Sequence, residues 1–236
     1  MPDKRNIITP EWIFFDFGET LFHATDPSPE VFISALFPYI ISNPLNITVA
    51  DAAKYYTELN REIAFVRNPL TEIMNIQFVK CLLDYLKIKL SLDEEETEYI
   101  IFKNAVSLIP ENNIENLLNF LKQKKIKTAV ISNYPLRGKT LEKRLREILP
   151  CYEFLFVMTS ADYIFRKPSP VIFKTALQKC GTSPQKVMHC GDSFSADVCG
   201  ARGAGINPVW YTDKEISDTL CVKDWQDFIN YLSAIE

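Results

Sequence analysis

KVMHCGDSFSADVCGARGAGINPVWYT, residues 186–212, holds two short apolar runs with a segment of small and polar residues between them. The first run, KVMHCGDS, predicts a buried strand, and the second, NPVWYT, predicts another. Between them, ADVCGARGAG predicts a short helix. Strands joined through a helical crossover run parallel. The stretch therefore predicts a parallel sheet with helices covering both of its faces.

The same alternation extends from about residue 114 to the end of the chain. Four further segments have apolar residues at helical spacing: IENLLNFLKQKKI (114–126), TLEKRLREIL (140–149), PVIFKTALQKCG (170–181) and WQDFINYLSAI (225–235). Two segments have the apolar character of buried strands: TAVISN (128–133) and FLFVMTS (154–160). Gly181 is a natural C-terminal residue for the helix before it. We therefore predict an α/β core built on a parallel sheet.

Residues 23–108 differ, because they hold helical patterns with no convincing strand between them. Ser91 and Glu94 in SLDEEE match a capping box, and the acidic run favours a helix start. This block lies between the first predicted strand and the rest of the sheet. We predict an inserted helical domain at 23–108 and a core formed by 1–22 together with 109–236.

The composition fits an ordinary globular protein, since 47% of the 236 residues are hydrophobic. The 26 basic and 30 acidic side chains give a net charge of −4, so nucleic acid is not an expected partner. MPDKRNIITPEW (1–12) lacks the apolar segment of a secretory signal, and VFISALFPYII (31–41) is too short to cross a bilayer. We expect a cytoplasmic protein without membrane contact.

The six cysteines are scattered without a CxxC pair, so the sequence indicates neither a disulfide framework nor a zinc site. The only two histidines, His23 and His189, make Ser-His-Asp or Cys-His catalysis difficult to assemble. We interpret His23 as packing where the chain enters the inserted domain, and His189 as a satisfied core histidine. Arg67 could bring a positive charge to an anionic substrate, although a solvated helix position is the simpler interpretation.

Polar residues follow the predicted strands at four places. IFFDFGETLF (13–22) carries an aspartate where its first apolar run ends, and three later segments carry polar residues in the same way. These residues are Asp16, Ser132, Asn133, Lys167, Asp192 and Asp197. Open α/β sheets gather their ligands at the carboxyl ends of the strands, so we expect these side chains to converge.

The chemistry of this set is that of phosphoryl transfer. Facing carboxylates bind a hard cation such as Mg²⁺, while a hydroxyl and an ammonium suit a phosphoryl group. We expect Asp16 to attack phosphorus and form an aspartyl-phosphate. Mg²⁺ would screen the repulsion between carboxylate and phosphate, and Lys167 would neutralise charge on both.

Four segments resemble, in order and spacing, the motifs of the haloacid dehalogenase-like hydrolase superfamily: FDFGETL (15–21), VISNYP (130–135), RKPSPVIF (166–173) and MHCGDSFSADVCGARGAG (188–205). The fourth segment is long and specific, whereas the other three alone are weak. The resemblance implies a doubly wound Rossmann-like core. It also implies that residues 23–108 form a mobile helical cap over the site.

The resemblance further implies roles for the polar residues. Asp16 would be the nucleophile and a Mg²⁺ ligand, with the Gly18 carbonyl and Asp192 as further ligands. Asp197 would support the metal-bound waters or Lys167, although it could merely cap the following helix.

The phosphoryl group would be held by two side chains from different motifs. Ser132 and Lys167 have this role by resemblance, although Ser132 could simply end a strand. Asn133 is a candidate for orienting the substrate.

Position 18 departs from the family pattern. Family phosphatases usually have a second aspartate where Gly18 stands, which protonates the leaving alcohol. General acid catalysis is typically worth about 10² to 10⁴ in rate, so esters of poor leaving groups are expected to react slowly. Glu19 would supply the acid only if the loop twists, since alternate side chains of an extended chain face opposite sides. Ile164 replaces a glycine often found three residues before the lysine, and we expect a local loop change there without loss of Lys167.

We predict a Mg²⁺-dependent phosphatase of a small phosphorylated metabolite, acting as a monomer or homodimer. Two alternatives remain open. The 2-haloacid dehalogenases also start from an aspartate nucleophile and lack the second acid, but Asp192 favours a cation that dehalogenation does not need. The other alternative is a low-turnover protein that binds Mg²⁺ and phosphate, and Gly18 is the feature that supports it.

Overall fold

The computed structural model describes residues 9–216 and 218–235. Its strands are β1 (Trp12–Phe15), β2 (Phe22–Ala24), β3 (Ile40–Ser42), β4 (Lys89–Leu90), β5 (Leu108–Pro110), β6 (Lys127–Ser132), β7 (Phe154–Thr159), β8 (Val187–Gly191), β9 (Asn207–Tyr211) and β10 (Leu220–Val222). Its α-helices are α1 (Pro29–Ser34), α2 (Val49–Val66), α3 (Asn75–Tyr85), α4 (Glu94–Ala105), α5 (Ile114–Gln123), α6 (Gly138–Ile148), α7 (Ser160–Tyr163), α8 (Pro170–Cys180), α9 (Gly200–Gly203) and α10 (Trp225–Ala234).

Six of the strands form one parallel sheet in the order β10-β9-β8-β1-β6-β7. β1 lies in the middle, and the chain runs outward on one side through β6 and β7 before it returns to β8 on the other. The strand order therefore reverses beside β1, and ligands of open α/β sheets bind outside the carboxyl ends of the strands at such a point. The predicted doubly wound α/β core is confirmed.

Helices cover both faces of the sheet because successive residues of a strand point to opposite sides. Phe15 of β1 packs in one hydrophobic cluster with Leu117 of α5 and Phe228 of α10. Phe14 packs in a second cluster with Phe173 of α8. All five of these side chains are fully buried.

The elements predicted after residue 114 are present. The segment expected to form a short helix is a π-helical turn over Phe194–Cys199 followed by α9. α8 ends at Gly181, whose φ of +60° is a left-handed conformation that glycine adopts without strain. β10 was not predicted, because three residues are too few to show a strand period.

The expectation of helices without strands in residues 23–108 is wrong in detail. β2 pairs antiparallel with β5 where the chain leaves the sheet and returns to it. β3 pairs antiparallel with β4 inside the inserted segment. These strands are two or three residues long, too short for an alternating pattern.

The predicted capping box is displaced by two residues. The Asp93 side chain accepts a hydrogen bond from the Glu96 backbone N–H at 2.8 Å, and Glu96 accepts one from the Asp93 N–H at 3.0 Å. Ser91 instead donates through both its backbone N–H and its hydroxyl to the Tyr39 carbonyl. The contact with Tyr39 is a tertiary one, so the local pattern alone could not rank the two possible caps.

The inserted helices have their own hydrophobic cluster, which includes Phe32, Leu82 and Ile101. They also contact the core through Glu98 of α4, whose buried carboxylate accepts hydrogen bonds from the backbone N–H and the Nε of Arg137, at 3.2 and 2.9 Å. The division of the chain at 22/23 and 108/109 stays a prediction.

Residues 1–8, 217 and 236 of the predicted core lie outside the described residues. These include most of residues 1–12, the segment in which we predicted no secretory signal. Among the helices that are described, none combines the length and apolar character needed to cross a bilayer.

Candidate active site

The ends of three neighbouring strands bring the predicted residues together. Phe15 of β1 pairs with Val130 of β6 on one side and with Cys190 of β8 on the other. Asp16 therefore lies beside the ends of both neighbouring strands, and its backbone N–H donates to the Cys190 carbonyl at 2.9 Å. Ser132, the last residue of β6, is buried at the same edge of the sheet.

Lys167 links two carboxylates inside the protein. Its Nζ donates to Asp16 Oδ1 and to Asp197 Oδ1, each at 2.6 Å. The lysine side chain is 1% exposed, and those of Asp16 and Asp197 are 13% and 2% exposed. Burial lowers the pKa of Lys167, but the two carboxylates raise it above its ordinary value overall. The ammonium therefore stays charged beside the predicted nucleophile.

Both oxygens of Asp197 have partners. Oδ1 accepts from Lys167 and from His189 Nε2 at 2.8 Å, while Oδ2 accepts from the Ser193 backbone N–H at 3.0 Å. Burial raises the pKa of Asp197, but Lys167 and His189 more than offset this and hold it well below its usual range. This geometry fits the predicted supporting role and places Asp197 where it orients Lys167.

Three carboxylates could hold a divalent cation. Asp16, Asp192 and Asp197 each offer an oxygen, and these atoms lie within 4.8 Å of one another. Burial, together with the charges of Asp16 and Asp197, raises the pKa of Asp192 to about 6. Carboxylate oxygens are the ligands that Mg²⁺ prefers, and a cation here would relieve the repulsion among the three acids. The residues present therefore fit a magnesium ion.

Two residues that the sequence analysis did not select hold Asp192 in place. Its backbone N–H donates to Thr20 Oγ1 at 3.1 Å, and its carbonyl accepts from Trp210 Nε1 at 2.8 Å. Thr20 belongs to the quoted FDFGETL segment, which was the available signal. Trp210 lies on β9, and nothing in the sequence pattern linked it to the site.

Asn133 lies in the site region, but its amide contacts the protein. Its Nδ2 donates to the Lys167 carbonyl at 2.8 Å, and its Oδ1 accepts from the Lys167 backbone N–H at 2.7 Å. Because both the oxygen and the nitrogen of the amide are engaged, the geometry favours a role for Asn133 in positioning Lys167. It does not favour the contact with substrate that we predicted for Asn133.

The segment after Asp16 leaves space where family phosphatases carry an acid. A Cβ placed on Gly18 would have no heavy atom within 4 Å. Glu19 adopts a φ of +52°, and its carboxylate lies 2.8 Å from His23 Nδ1 at the surface, each side chain being 54% exposed. This ion pair raises the pKa of His23. Glu19 thus points toward the protein surface.

The two histidine predictions need correction. His23 lies on β2, where the chain enters the inserted segment, but its exposure shows that it does not pack there. His189 is buried as predicted, yet its Nδ1 has no hydrogen-bond partner among the described residues. Burial lowers the pKa of His189, so the imidazole is neutral and donates its one proton to Asp197.

Ile164 stands where the family often has glycine, and the local loop change that we predicted there stays a prediction. Its φ is +67°, a region that β-branched residues rarely adopt. Lys167 nevertheless reaches Asp16, as predicted.

The fold agrees with comparisons to known proteins. The model of the haloacid dehalogenase-like hydrolase family matches residues 10–205. The chain therefore belongs to this family of hydrolases.

The relatives of the chain include named phosphatases. It is 31% identical over 181 residues to the phosphorylated carbohydrates phosphatase of Thermotoga maritima, covering 71% of this chain and 82% of that protein. It is 38% identical over 81 residues to haloacid dehalogenase-like hydrolase domain-containing protein 3 of Danio rerio, covering 34% of this chain. The chain spans only 32% of the length of that second relative.

The likeness to solved structures extends over nearly the whole chain. The 2-haloacid dehalogenase of Pseudomonas syringae pv. Tomato DC3000 has a TM-score of 0.62 at 19% identity, covering 95% of this chain and 99% of that chain. A haloacid dehalogenase-like phosphatase of Thermococcus onnurineus has a TM-score of 0.60 at 21% identity, covering 94% and 97%. At these identities the likeness establishes the fold.

Proposed function

We propose that the protein is a Mg²⁺-dependent phosphatase of a small phosphorylated substrate, with Asp16 as the nucleophile. The observation that carries this proposal is the placement of Lys167 Nζ at 2.6 Å from Asp16 Oδ1, beside three carboxylates whose oxygens lie within 4.8 Å. A carboxylate, an ammonium and a cation site at one strand end are the parts that phosphoryl transfer needs. The phosphatase names of several relatives support the same conclusion.

In the first step, an Asp16 carboxylate oxygen forms a bond to phosphorus while the bond from phosphorus to the leaving oxygen breaks. The leaving oxygen departs with the electron pair of that bond. Lys167, held between Asp16 and Asp197, neutralises charge on the transferred phosphoryl group. Ser132, buried at the end of β6, would bind a phosphoryl oxygen.

In the second step, water attacks the phosphorus of the aspartyl-phosphate, and the bond between phosphorus and the Asp16 oxygen breaks. This releases inorganic phosphate, returns the carboxylate and leaves a water proton to be taken up by solvent. Asp16, Asp192 and the Gly18 carbonyl would hold Mg²⁺, and Asp197 would support the metal-bound waters or Lys167. When bound, this ion supplies positive charge that offsets the repulsion between the carboxylate and the phosphate.

Gly18 defines the expected substrate class. No side chain at this position protonates the leaving oxygen, and the Glu19 carboxylate is paired with His23 at the surface. Acyl phosphates and activated aryl phosphates depart without a proton, so they are the substrates that this site hydrolyses best. Alkyl phosphates need the missing acid and are expected to react about 10² to 10⁴ times more slowly.

A substrate screen tests the proposal. Phosphate compounds that span a range of leaving-group pKa are assayed with and without Mg²⁺, in the parent and in Asp16→Asn. We expect hydrolysis of acetyl phosphate and 4-nitrophenyl phosphate that needs Mg²⁺ and is lost in Asp16→Asn. Turnover that persists in Asp16→Asn would remove the nucleophile assignment.

The 2-haloacid dehalogenase alternative is tested in the same preparation, because the absence of an acid at position 18 favours it. Metal-independent release of halide from 2-chloropropionate would replace the phosphatase proposal. Tight Mg²⁺ and phosphate binding without turnover on any compound would instead indicate a binding protein.

A further inference from the structure

The loop between α2 and α3 contacts the segment that leads to Lys167. The Glu72 backbone N–H donates to the Ile164 carbonyl at 2.7 Å, and the Arg166 N–H donates to the Leu70 carbonyl at 3.0 Å. These backbone contacts join the inserted helices directly to the residues that precede the catalytic lysine. Side chains of both segments therefore meet at this junction.

Glu72 is buried at the centre of the junction, with its side chain 1% exposed. One oxygen accepts from Arg67 Nη2 at 2.9 Å and from the Ile73 N–H at 3.2 Å. The other accepts from Ser160 Oγ at 2.6 Å and from Arg166 Nη1. The carboxylate thus has four donors and orients a guanidinium from each side of the junction.

The two arginines carry one more positive charge than Glu72 can balance. Each guanidinium has five N–H donors. Within the described residues, Glu72 engages one nitrogen of the Arg67 guanidinium and one of the Arg166 guanidinium. Burial lowers the pKa of Arg166, Glu72 raises it, and Arg67 lowers it further. An anion between the two guanidiniums would relieve their repulsion.

Arg67 and Arg166 also line one surface cavity of about 580 Å³. Its lining residues are Asn60, Ile63, Ala64, Arg67, Pro69 and Arg166. The lining contains no acidic side chain, although the chain as a whole has a net charge of −4. The Arg67 and Arg166 side chains are 41% and 20% exposed, so both are within reach of a ligand in the cavity.

We propose that Arg67 and Arg166 form an oxyanion-binding site at this junction, which takes a carboxylate or a phosphate group. Guanidiniums bind such groups through paired N–H donors, and Glu72 holds both in place before the anion arrives. The anion is either a second acidic group of the substrate or a free anion. The site stands independently of the reaction proposed at Asp16.

Chemical modification of the arginines tests the site in the unaltered protein. The rates at which phenylglyoxal modifies Arg67, Arg166 and Arg61 are followed by peptide mass spectrometry, with and without sodium sulfate at constant ionic strength. Arg61 lies exposed on α2 outside the cavity lining and is the matched control. At a sulfate concentration ten times its dissociation constant, we expect about tenfold slower modification of Arg67 and Arg166 alone. Equal rates with and without sulfate, or equal slowing at all three arginines, would overturn the proposal.

The source of the anion is identified by two further measurements. If the substrate supplies it, Arg67→Gln lowers the ratio of kcat/KM for 4-carboxyphenyl phosphate to that for phenyl phosphate about tenfold, while Arg61→Gln keeps the parent ratio. If a free anion binds, sulfate changes kcat/KM for both compounds in the parent protein. The Arg67→Gln variant does not show this change. The protection experiment needs no turnover, so a failure at Asp16 and a failure of this site give different results.

Discussion

Lys167 Nζ lies 2.6 Å from Asp16 Oδ1, although 151 positions separate the two residues in the chain. The same ammonium contacts Asp197, so one buried cation pairs with two buried carboxylates at the point where the strand order reverses. Burying a charge is costly unless it is paired, and each of these three groups depends on the others. The arrangement therefore joins the stability of the fold to the chemistry of the site.

Replacing Lys167 with methionine would leave Asp16 and Asp197 buried without their shared cation. Removal of one partner of a buried ion pair costs about 3–5 kcal/mol, so we expect the free energy of unfolding in urea to fall by this amount. Hydrolysis should be lost as well. Lys174→Met on the exposed side of α8 is the control and should change stability by less than about 0.5 kcal/mol. Equal stability of the two variants would contradict the pairing.

Gly18→Asp restores a carboxyl group at the position where family phosphatases carry one. The surrounding space admits the side chain, so the fold should be retained. We expect hydrolysis of an alkyl phosphate such as glycerol 2-phosphate to rise about 10² to 10⁴-fold, with a smaller effect on acetyl phosphate, because only the alkoxide needs a proton. Steady-state assays of both compounds measure the difference.

Gly203→Asp is the control for that substitution, since Gly203 also has no heavy atom within 4 Å of a Cβ. It makes the same change of charge away from the strand ends. An equal gain in both variants, or none in Gly18→Asp, would show that the acid at position 18 is not what limits alkyl ester hydrolysis.

Mg²⁺ should stabilise the protein through the carboxylates of Asp16 and Asp192. At a concentration one hundred times its dissociation constant, a ligand that binds only the native state adds about 2.7 kcal/mol to the free energy of unfolding. We expect urea denaturation to show this gain at pH 8 and Asp192→Asn to reduce it strongly. Asp213→Asn, at an exposed position, should keep the parent response. A Mg²⁺ response that survives in Asp192→Asn would place the ion elsewhere.

Ile164→Gly should stabilise the chain. Ile164 has a φ of +67° and a ψ of −47°, and the residue is 61% exposed, so the substitution relieves backbone strain with little loss of packing. Strain of this kind costs about 1–3 kcal/mol, and the extra freedom of an unfolded glycine offsets about 0.5–1 kcal/mol. The free energy of unfolding should rise by about 1 kcal/mol. Ile109→Gly, at a similarly exposed isoleucine of β5, should instead lower it.

The sequence alone predicted the parallel sheet and the residues at its carboxyl edge. Helical and strand patterns after residue 114 are local properties, because each period is set by which side chains face the core. The quoted motifs then selected Asp16, Lys167 and Asp192 as members of one site. Short elements such as β3 and β4 could not be predicted, because they have too few positions to show a period. Their stability comes from pairing between segments about 50 residues apart in the chain.

Only the tertiary structure decided how the selected groups are held. His189 donates to Asp197, Thr20 and Trp210 fix Asp192, and Glu72 joins the inserted helices to Arg166. These contacts connect residues distant in the chain, and many residue pairs of the same types could have formed them. The packing of the whole molecule determines which of these pairs form. The hydrophobic pattern along one segment indicates only which face of that segment is buried.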